Sequence, residues 1–234
     1  MVDVYLSDSV SARRRLDFVS DLTDLPILID STEAQVRLDA VNYVEEVGLI
    51  DRVVYNSINA GVSSEEITAL RDSSISAAIV LAFNPTKSDV SARIDMLENG
   101  GGATEKGLLE IAAKCGLKKV LVDTGITRIG DGAGSAFRAI PVIKAKFGLP
   151  SGCAPHNAVS AWGWFKEIGR PKHVDWSSNA MAAMLGADFI LYGPIEFSRE
   201  VYEELALASN FLSEAGKEMG LRIPKDNPFR KLSY

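Results

Sequence analysis

Short apolar runs recur along the chain, and several of them are rich in β-branched residues. They are apolar throughout rather than alternating with polar residues, which is typical of strands buried on both faces of a parallel sheet. We therefore predict seven strands. The runs lie at residues 2–6, 26–30, 52–56, 77–83, 119–123, 148–152 and 188–193.

The segments between these runs have helical periodicity. Apolar residues repeat at helical spacing within residues 36–47 and again within 201–212, and a glycine, Gly48 or Gly220, follows each stripe. Such stripes predict helices that pack on a core and end at a glycine. Thr32 with Gln35, and Ser63 with Glu66, have the spacing of a capping box, which predicts helix starts at those positions.

The alternation of strand and helix predicts an α/β fold with a parallel sheet, either doubly wound or a (β/α)₈ barrel. Polar residues distinguish the two, because a barrel directs the carboxyl ends of all its strands to one mouth. Here polar residues stand at or just after the ends of five different strands, which favours the barrel. These residues are Asp30, Asn56, Asn84, Asp123 and Asn157.

Any one of these side chains could simply cap a helix or form a turn. As a set they combine two acids with three amides, and Ser31 and Thr124 could cap the following helices in place of Asp30 and Asp123. A carboxylate accepts two parallel hydrogen bonds, and an amide both donates and accepts. This mixture suits a neutral heterocycle with donor and acceptor edges, such as a pterin.

Composition excludes several other classes of protein. The 25 basic and 31 acidic residues give a net charge of −6 without a basic stripe, which argues against nucleic-acid binding. The sequence has no apolar run of membrane-spanning length and no secretory signal pattern, so we expect a cytoplasmic protein. Cys115 and Cys153 are far apart, and with two histidines in the chain we predict neither a disulfide framework nor a metal site.

Two further motifs carry weaker signals. "GDGAGSA" at residues 130–136 has the position of a phosphate-cradling loop, but its glycine spacing is not that of a dinucleotide fingerprint. "CAPHN" places Cys153 near His156. His156 is interpreted either as a polar wall of the site or as a loop residue with its own partner.

Longer motifs resemble a known family. "PILIDSTEAQVR", "DRVVYNSINAGVS", "GGGATEKGLLEIA", "HNAVSAW" and "LYGPIE" are similar to the H subunit of tetrahydromethanopterin S-methyltransferase and its bacterial relatives that act on methyltetrahydrofolate. The resemblance extends over essentially the whole chain. It places the chain near the wider group of pterin-binding barrels, which includes the methyltetrahydrofolate:corrinoid protein methyltransferases and dihydropteroate synthase.

The resemblance implies a (β/α)₈ barrel of the pterin-binding type formed as a single domain over residues 1–234. Members of the family usually have a further strand and helix before the segment that begins here at Val2. We therefore expect this chain to lack the first βα unit of the barrel, and the natural polypeptide to extend upstream by one such unit.

By the same resemblance, Asp30, Asn56 and Asp123 match the residues that hold the pterin ring. Asn157 matches the asparagine that forms a hydrogen bond with the methyl-bearing ring nitrogen, and is the predicted catalytic residue. Asn84 is added as a substrate-binding candidate from its strand position alone.

The implied activity is methyl transfer between a methyl-tetrahydropterin, either tetrahydromethanopterin or tetrahydrofolate, and the cobalt of a cobalamin or related corrinoid carried by a partner protein. We also expect a homodimer and membership of a larger methyltransferase complex, peripheral to a membrane. Two alternatives remain open: a synthase of the dihydropteroate type, for which cationic residues at strand ends are missing, and a non-catalytic binding or scaffold subunit.

Overall fold

The computed structural model describes residues 1–224. These residues form two compact units. The first comprises Met1–Lys87 and Ser91–Asp123, and the second comprises Ser88–Val90 and the described residues from Thr124 onward. The expectation of a single domain over the whole chain stays a prediction.

Strands and helices alternate along the chain as the sequence predicts. The strands are β1 (Val2–Tyr5), β2 (Ile27–Asp30), β3 (Val53–Ile58), β4 (Ala77–Leu81), β5 (Lys119–Asp123), β6 (Ser151–Cys153) and β7 (Phe189–Ile190). The α-helices are α1 (Ser9–Leu22), α2 (Ala34–Glu46), α3 (Ser64–Asp72), α4 (Val90–Asn99), α5 (Leu108–Lys114), α6 (Ala133–Phe147), α7 (Pro155–Ser160), α8 (Gly163–Glu167), α9 (Lys172–Met184) and α10 (Ser198–Glu218). Each predicted strand is present, although the sixth begins at Ser151 rather than at residue 148.

The first unit contains the parallel sheet that the apolar runs predict. Strands β1 to β5 pair with their neighbours in chain order, and every pairing is parallel. In the described residues of the second unit, β6 pairs with β7, also in parallel. The predicted α/β class is therefore confirmed, whereas the expected upstream βα unit stays a prediction.

The two faces of the first unit's sheet differ in character. Val4, Ile29, Tyr55, Val80 and Val122 lie on one face, and all five are buried. Side chains of successive residues point to opposite faces, and register partners in a parallel pair share a face. The other face therefore carries the alternate residues, and these include the polar strand ends.

Helix starts agree with the predicted capping boxes only in part. The Ser63 hydroxyl accepts from the backbone N–H of Glu66 at 3.2 Å and caps α3, but the Glu66 carboxylate bonds to Arg37 instead of closing the box. The predicted box at Thr32 is wrong, because α2 begins after Glu33, which provides no side-chain cap.

Lys144 connects three segments of the second unit. Its ammonium on α6 donates to the carbonyl of Gly186 at 2.7 Å and to the Asp188 carboxylate at 2.8 Å. The second oxygen of Asp188 accepts from the backbone N–H of Ser151 at 2.9 Å. One partly exposed ion pair thus aligns α6, the start of β6 and the approach to β7.

No helix within residues 1–224 combines the length and the apolar character needed to cross a membrane.

The β6–β7 pair generates a stability prediction. A Cβ at Gly152 would lie 2.0 Å from the carbonyl oxygen of Phe189, so Gly152→Ala must push the strands apart. We expect its free energy of unfolding to fall by at least about 2 kcal/mol, as for other overpacked sites. Gly134→Ala is the control, because no atom lies within 4 Å of its Cβ position in α6, and it should stabilise the protein by about 0.5–1 kcal/mol. Equal denaturation midpoints for the two variants would contradict this packing.

Candidate functional site

Asp30, the last residue of β2, and Asn56 of β3 stand side by side; β3 continues to Ile58, two residues beyond the predicted end of this strand. They are register partners, and Tyr5 of β1 is the partner of Asp30 on its other side. Neighbouring strands lie about 5 Å apart, so the carboxylate and the amide are within reach of one small molecule. Both side chains are partly accessible. Two of the predicted site residues are therefore brought together.

Asp123 lies on the same face of the sheet. Asn56 is the register partner of Ile79, Ile79 of Leu121, and Asp123 follows two residues after Leu121 on β5. Asp123 is buried, with 6% of its surface exposed. Leu81 of β4 is the register partner of Asp123 and is partly accessible, so an apolar side chain of this face lies beside the carboxylate.

The backbone changes course at Asn56. The register of β3 on β4 shifts between Asn56 and Ile58, which marks a bulge, and the Asn56–Ser57 peptide bond is cis. Bulges are frequent near functional sites because they redirect a side chain at a strand end. The bulge therefore begins at Asn56, one of the site residues predicted from the sequence.

Burial and charge act in opposite directions on Asp30. Burial raises the pKa of its carboxyl above the ordinary value, and the positive charge of Arg37 opposes this rise. The neighbouring carboxyl of Asp3, on the same face of β1, has its pKa raised to about 6, first by burial and then by the charge of Asp30. The Asp3 side chain keeps accessible surface, so solvent screens part of that repulsion.

Asn84 is engaged with its own loop. Its Oδ1 accepts from the backbone N–H of Thr86 at 2.9 Å, from the Thr86 hydroxyl at 2.8 Å and from the N–H of Lys87 at 3.0 Å. Its Nδ2 donates to the carbonyl of Gly101 at 3.1 Å. These contacts organise the loop after β4, and they leave the amide little hydrogen-bonding capacity for a ligand.

A buried cluster behind the polar face was not found from the sequence. The Arg37 guanidinium on α2 donates from Nε to the Tyr55 hydroxyl at 2.9 Å and from Nη2 to Glu66 of α3 at 2.8 Å. Its Nη1 donates to the carbonyl of Ser31 at 2.5 Å. All three side chains of this Arg37–Tyr55–Glu66 cluster are at least 96% buried.

Asn157 belongs to the second unit. It lies in the first turn of α7, and its side chain is exposed. The preceding His156 places Nδ1 2.8 Å from a carboxylate oxygen of Asp175 on α9, and a Cβ at Gly193 would lie 2.6 Å from the same nitrogen. His156 thus has a fixed partner, which the sequence did not reveal.

Within residues 1–224, no group of three or more histidine, cysteine, aspartate or glutamate side chains is arranged to hold a metal ion. On the polar face, Asp30 and Asp123 can accept from an amino group and an adjacent ring N–H, and Asn56 can both donate and accept. Such a set recognises a neutral heterocycle.

Comparisons with known proteins identify a family. The family model of the tetrahydromethanopterin S-methyltransferase MtrH subunit matches residues 1–223. The H subunit of tetrahydromethanopterin S-methyltransferase from Methanothermobacter thermautotrophicus is 44% identical over 222 residues, which cover 93% of this chain and 72% of the relative. The H subunit of the putative methyltransferase mtx from Methanosarcina mazei is 40% identical, with 99% of this chain and 76% of the relative covered.

Solved structures show the fold. A Yersinia pestis dihydropteroate synthase with a pterine-sulfa conjugate has a TM-score of 0.65 at 15% identity, covering 91% of this chain and 82% of that one. The Xanthomonas albilineans enzyme in complex with 7,8-dihydropteroate has a TM-score of 0.60 at 16% identity, covering 90% and 80%. At these identities the likeness concerns the fold alone, and it confirms the predicted class, that of the pterin-binding α/β barrels.

The His156–Asp175 contact generates a pH prediction. The hydrogen bond that His156 donates to the Asp175 carboxylate raises the pKa of His156 above its ordinary value, against the effect of burial. Stability from this pair is therefore fully present below the unfolded-state pKa of about 6.5 and is lost as the pH rises through the folded-state pKa. Asp175→Asn should lower the His156 pKa, as measured by NMR titration of the ring protons.

Two controls accompany this titration. Asp188→Asn removes another carboxylate of the second unit, one that pairs with Lys144, and should leave the His156 titration in place. His156→Gln assigns the signal, because His173 is the only other histidine in the sequence. An unchanged His156 titration in Asp175→Asn would contradict this contact.

Proposed function

Because the chain belongs to the family of the tetrahydromethanopterin S-methyltransferase MtrH subunit, we propose that it transfers a methyl group between the ring nitrogen of a methyl-tetrahydropterin and the cobalt of a corrinoid protein. The observation that carries this proposal is the polar face of the first unit. There Asp30 and Asn56 are register partners, and Asp123 lies on the same face. Tetrahydromethanopterin is the favoured pterin, since it stands in the name of the 44% identical relative.

The carboxylates hold the pterin by its donor edge. A pterin presents an exocyclic amino group beside a ring N–H, and one ionised carboxylate accepts both of these hydrogen bonds. We assign this role to Asp30 and Asp123, the acids that end β2 and β5 on the polar face. Asn56 complements them with an amide that donates to the ring carbonyl or accepts from a ring N–H.

Methyl transfer also requires a group at the methyl-bearing nitrogen. A tertiary amine is a poor leaving group, so the nitrogen must gain a proton or a strong hydrogen bond while its bond to the methyl carbon breaks. The electron pair of that bond stays on the nitrogen. We assign this contact to Asn157, because an amide can orient its donor or its acceptor as charge develops in the transition state. The assignment rests on the family motif.

The methyl acceptor comes from outside this chain. A reduced cobalt centre is itself a strong nucleophile, so the reaction needs no nucleophilic side chain of this protein. The corrinoid is accordingly a substrate carried by a partner protein. We further propose a cytoplasmic location and a homodimer. We also propose association with the other subunits of a methyltransferase complex, because both relatives are named as H subunits.

The synthase alternative is less well supported. The dihydropteroate synthases share the fold at 15% and 16% identity, whereas the 44% identical relative carries a methyltransferase name.

Single-turnover methyl transfer tests the proposal, and a positive result would exclude the scaffold alternative. The purified chain is mixed with cob(I)alamin and either methyl-tetrahydromethanopterin or methyltetrahydrofolate, and formation of methylcobalamin is followed by absorbance. Transfer above the protein-free rate is expected with at least one pterin, and its absence with both would reject the proposal.

The pterin clamp predicts a loss of affinity in Asp123→Ala. Removing this carboxylate should weaken tetrahydropterin binding by roughly 1.5–3 kcal/mol, the range for hydrogen bonds to charged groups, and calorimetric titration measures the change. Asp51→Ala is the control, because Asp51 is an exposed acid of the same unit. Wild-type affinity in a folded Asp123→Ala variant would remove Asp123 from the site.

For Asn157→Ala we expect the rate of methyl transfer to fall by a larger factor than the affinity for the pterin. We expect methyl transfer at saturating pterin to slow by about 10²- to 10³-fold, as for loss of one preorganised donor. Lys166→Ala, at an exposed position of the next helix, α8, serves as the control and should keep the wild-type rate. A wild-type single-turnover rate in Asn157→Ala would show that another group meets the ring nitrogen.

A further inference from the structure

We propose that Arg37 is a positioning residue for the pterin site, which it supports from the opposite face of the sheet by fixing the backbone of β2 and β3 beside Asp30 and Asn56. This inference rests on the proposed function and extends it to a residue that contacts no part of the pterin. It starts from the Arg37–Tyr55–Glu66 cluster, in which one guanidinium bonds to three segments of the first unit.

The positions of its partners are the first argument. Arg37 donates to the carbonyl of Ser31, the residue immediately after Asp30, and to the hydroxyl of Tyr55, the residue immediately before Asn56. Successive residues of a strand point to opposite faces. The guanidinium therefore binds Ser31 and Tyr55 from the face opposite the site. These bonds fix the positions of Asp30 and Asn56 on the polar face.

The energetic argument concerns burial. Arg37 and Glu66 are 4% and 1% exposed, so both charges are almost fully withdrawn from water. A buried ion pair often contributes no more stability than apolar residues of the same volume would, because desolvation offsets the attraction. The ion pair is therefore weak evidence for a stabilising role. The planar guanidinium of Arg37 directs separate nitrogens at separate acceptors, which is better suited to orienting the segments that it contacts.

Charge supplies a second, independent consequence. The groups around Asp30 are Asp3 and Tyr5 on β1, Asn56 on β3 and Arg37 on α2. Of these, Arg37 alone is a cation. Burial favours a protonated Asp30, and the positive charge of Arg37 opposes this effect. A protonated Asp30 could not accept two hydrogen bonds from a pterin's donor edge, so the site depends on this charge.

The test measures the Asp30 titration directly, by carboxyl ¹³C NMR of the ligand-free chain, and tetrahydropterin affinity across the same pH range. The principal variant is the double substitution Arg37→Met with Glu66→Gln, which removes both charges and avoids a lone buried anion. It should raise the pKa of Asp30 and weaken pterin binding about tenfold or more at neutral pH, the loss expected for a hydrogen bond to a charged group.

Three single substitutions separate charge from geometry. Arg37→Lys keeps the charge but lacks the planar fork that reaches three separately placed acceptors, so it should weaken binding while leaving the Asp30 pKa near that of the wild type. Tyr55→Phe removes one acceptor and no charge, and should also leave the pKa in place. Arg71→Met is the matched control, because it removes an exposed arginine of the same unit and should change neither readout.

The outcomes are distinct. An unchanged Asp30 pKa together with unchanged affinity in the folded double variant would overturn the inference. A loss of affinity that is uniform across pH, with no change in the Asp30 titration, would identify a merely structural cluster and overturn it as well. If the wild type binds no tetrahydropterin although the Asp30 titration follows Arg37, the proposed function fails while the electrostatic link between these two residues stands.

Discussion

The parallel register of β2 on β3 is the constraint on which the candidate site depends. It makes Asp30 and Asn56 neighbours on one face of two buried strands. A slip of one residue would turn one of the two side chains toward the helices, where Val4, Ile29 and Tyr55 are buried. The apolar residues of the other face therefore secure the geometry of the polar one, and the core and the site are parts of one arrangement.

The carboxylates of the polar face and the positive charge of Arg37 lie on opposite sides of the sheet. Carboxylates on the polar face are partly desolvated, as the raised pKa values of Asp3 and Asp30 indicate. A carboxylate in such surroundings forms strong hydrogen bonds when it is ionised, but its ionisation must be supported by a nearby cation. Arg37 provides that charge from behind the sheet, so the ligand-facing surface remains acidic and amidic and suits an uncharged heterocycle.

The sequence predicted those features that depend on residues close together along the chain. Apolar runs located all seven strands, and polar residues at strand ends located Asp30, Asn56 and Asp123 on one face, because strand periodicity fixes direction. Asn84 has the same local signal, yet its amide is bonded to Thr86, Lys87 and Gly101. Strand position alone cannot distinguish a side chain that serves a ligand from one that serves its own loop.

Contacts between distant residues were out of reach of the sequence. Arg37 and Glu66 are separated by 29 residues, and His156 and Asp175 by 19, and no periodic pattern relates the members of either pair. The capping-box spacing at Ser63 and Glu66 even suggested a different partner for Glu66, which tertiary contact with Arg37 overrides. Ionic partners follow from how helices pack on a sheet, which a single sequence does not specify.

The central claim is that the polar face of the first unit binds the donor edge of a tetrahydropterin. A crystal structure of the chain with bound tetrahydromethanopterin tests it most directly. The account predicts that the amino group and ring N–H of the pterin lie within hydrogen-bonding distance of Asp30 or Asp123, with Asn56 in contact with the same ring. A pterin bound elsewhere, with these three side chains facing only water, would contradict it.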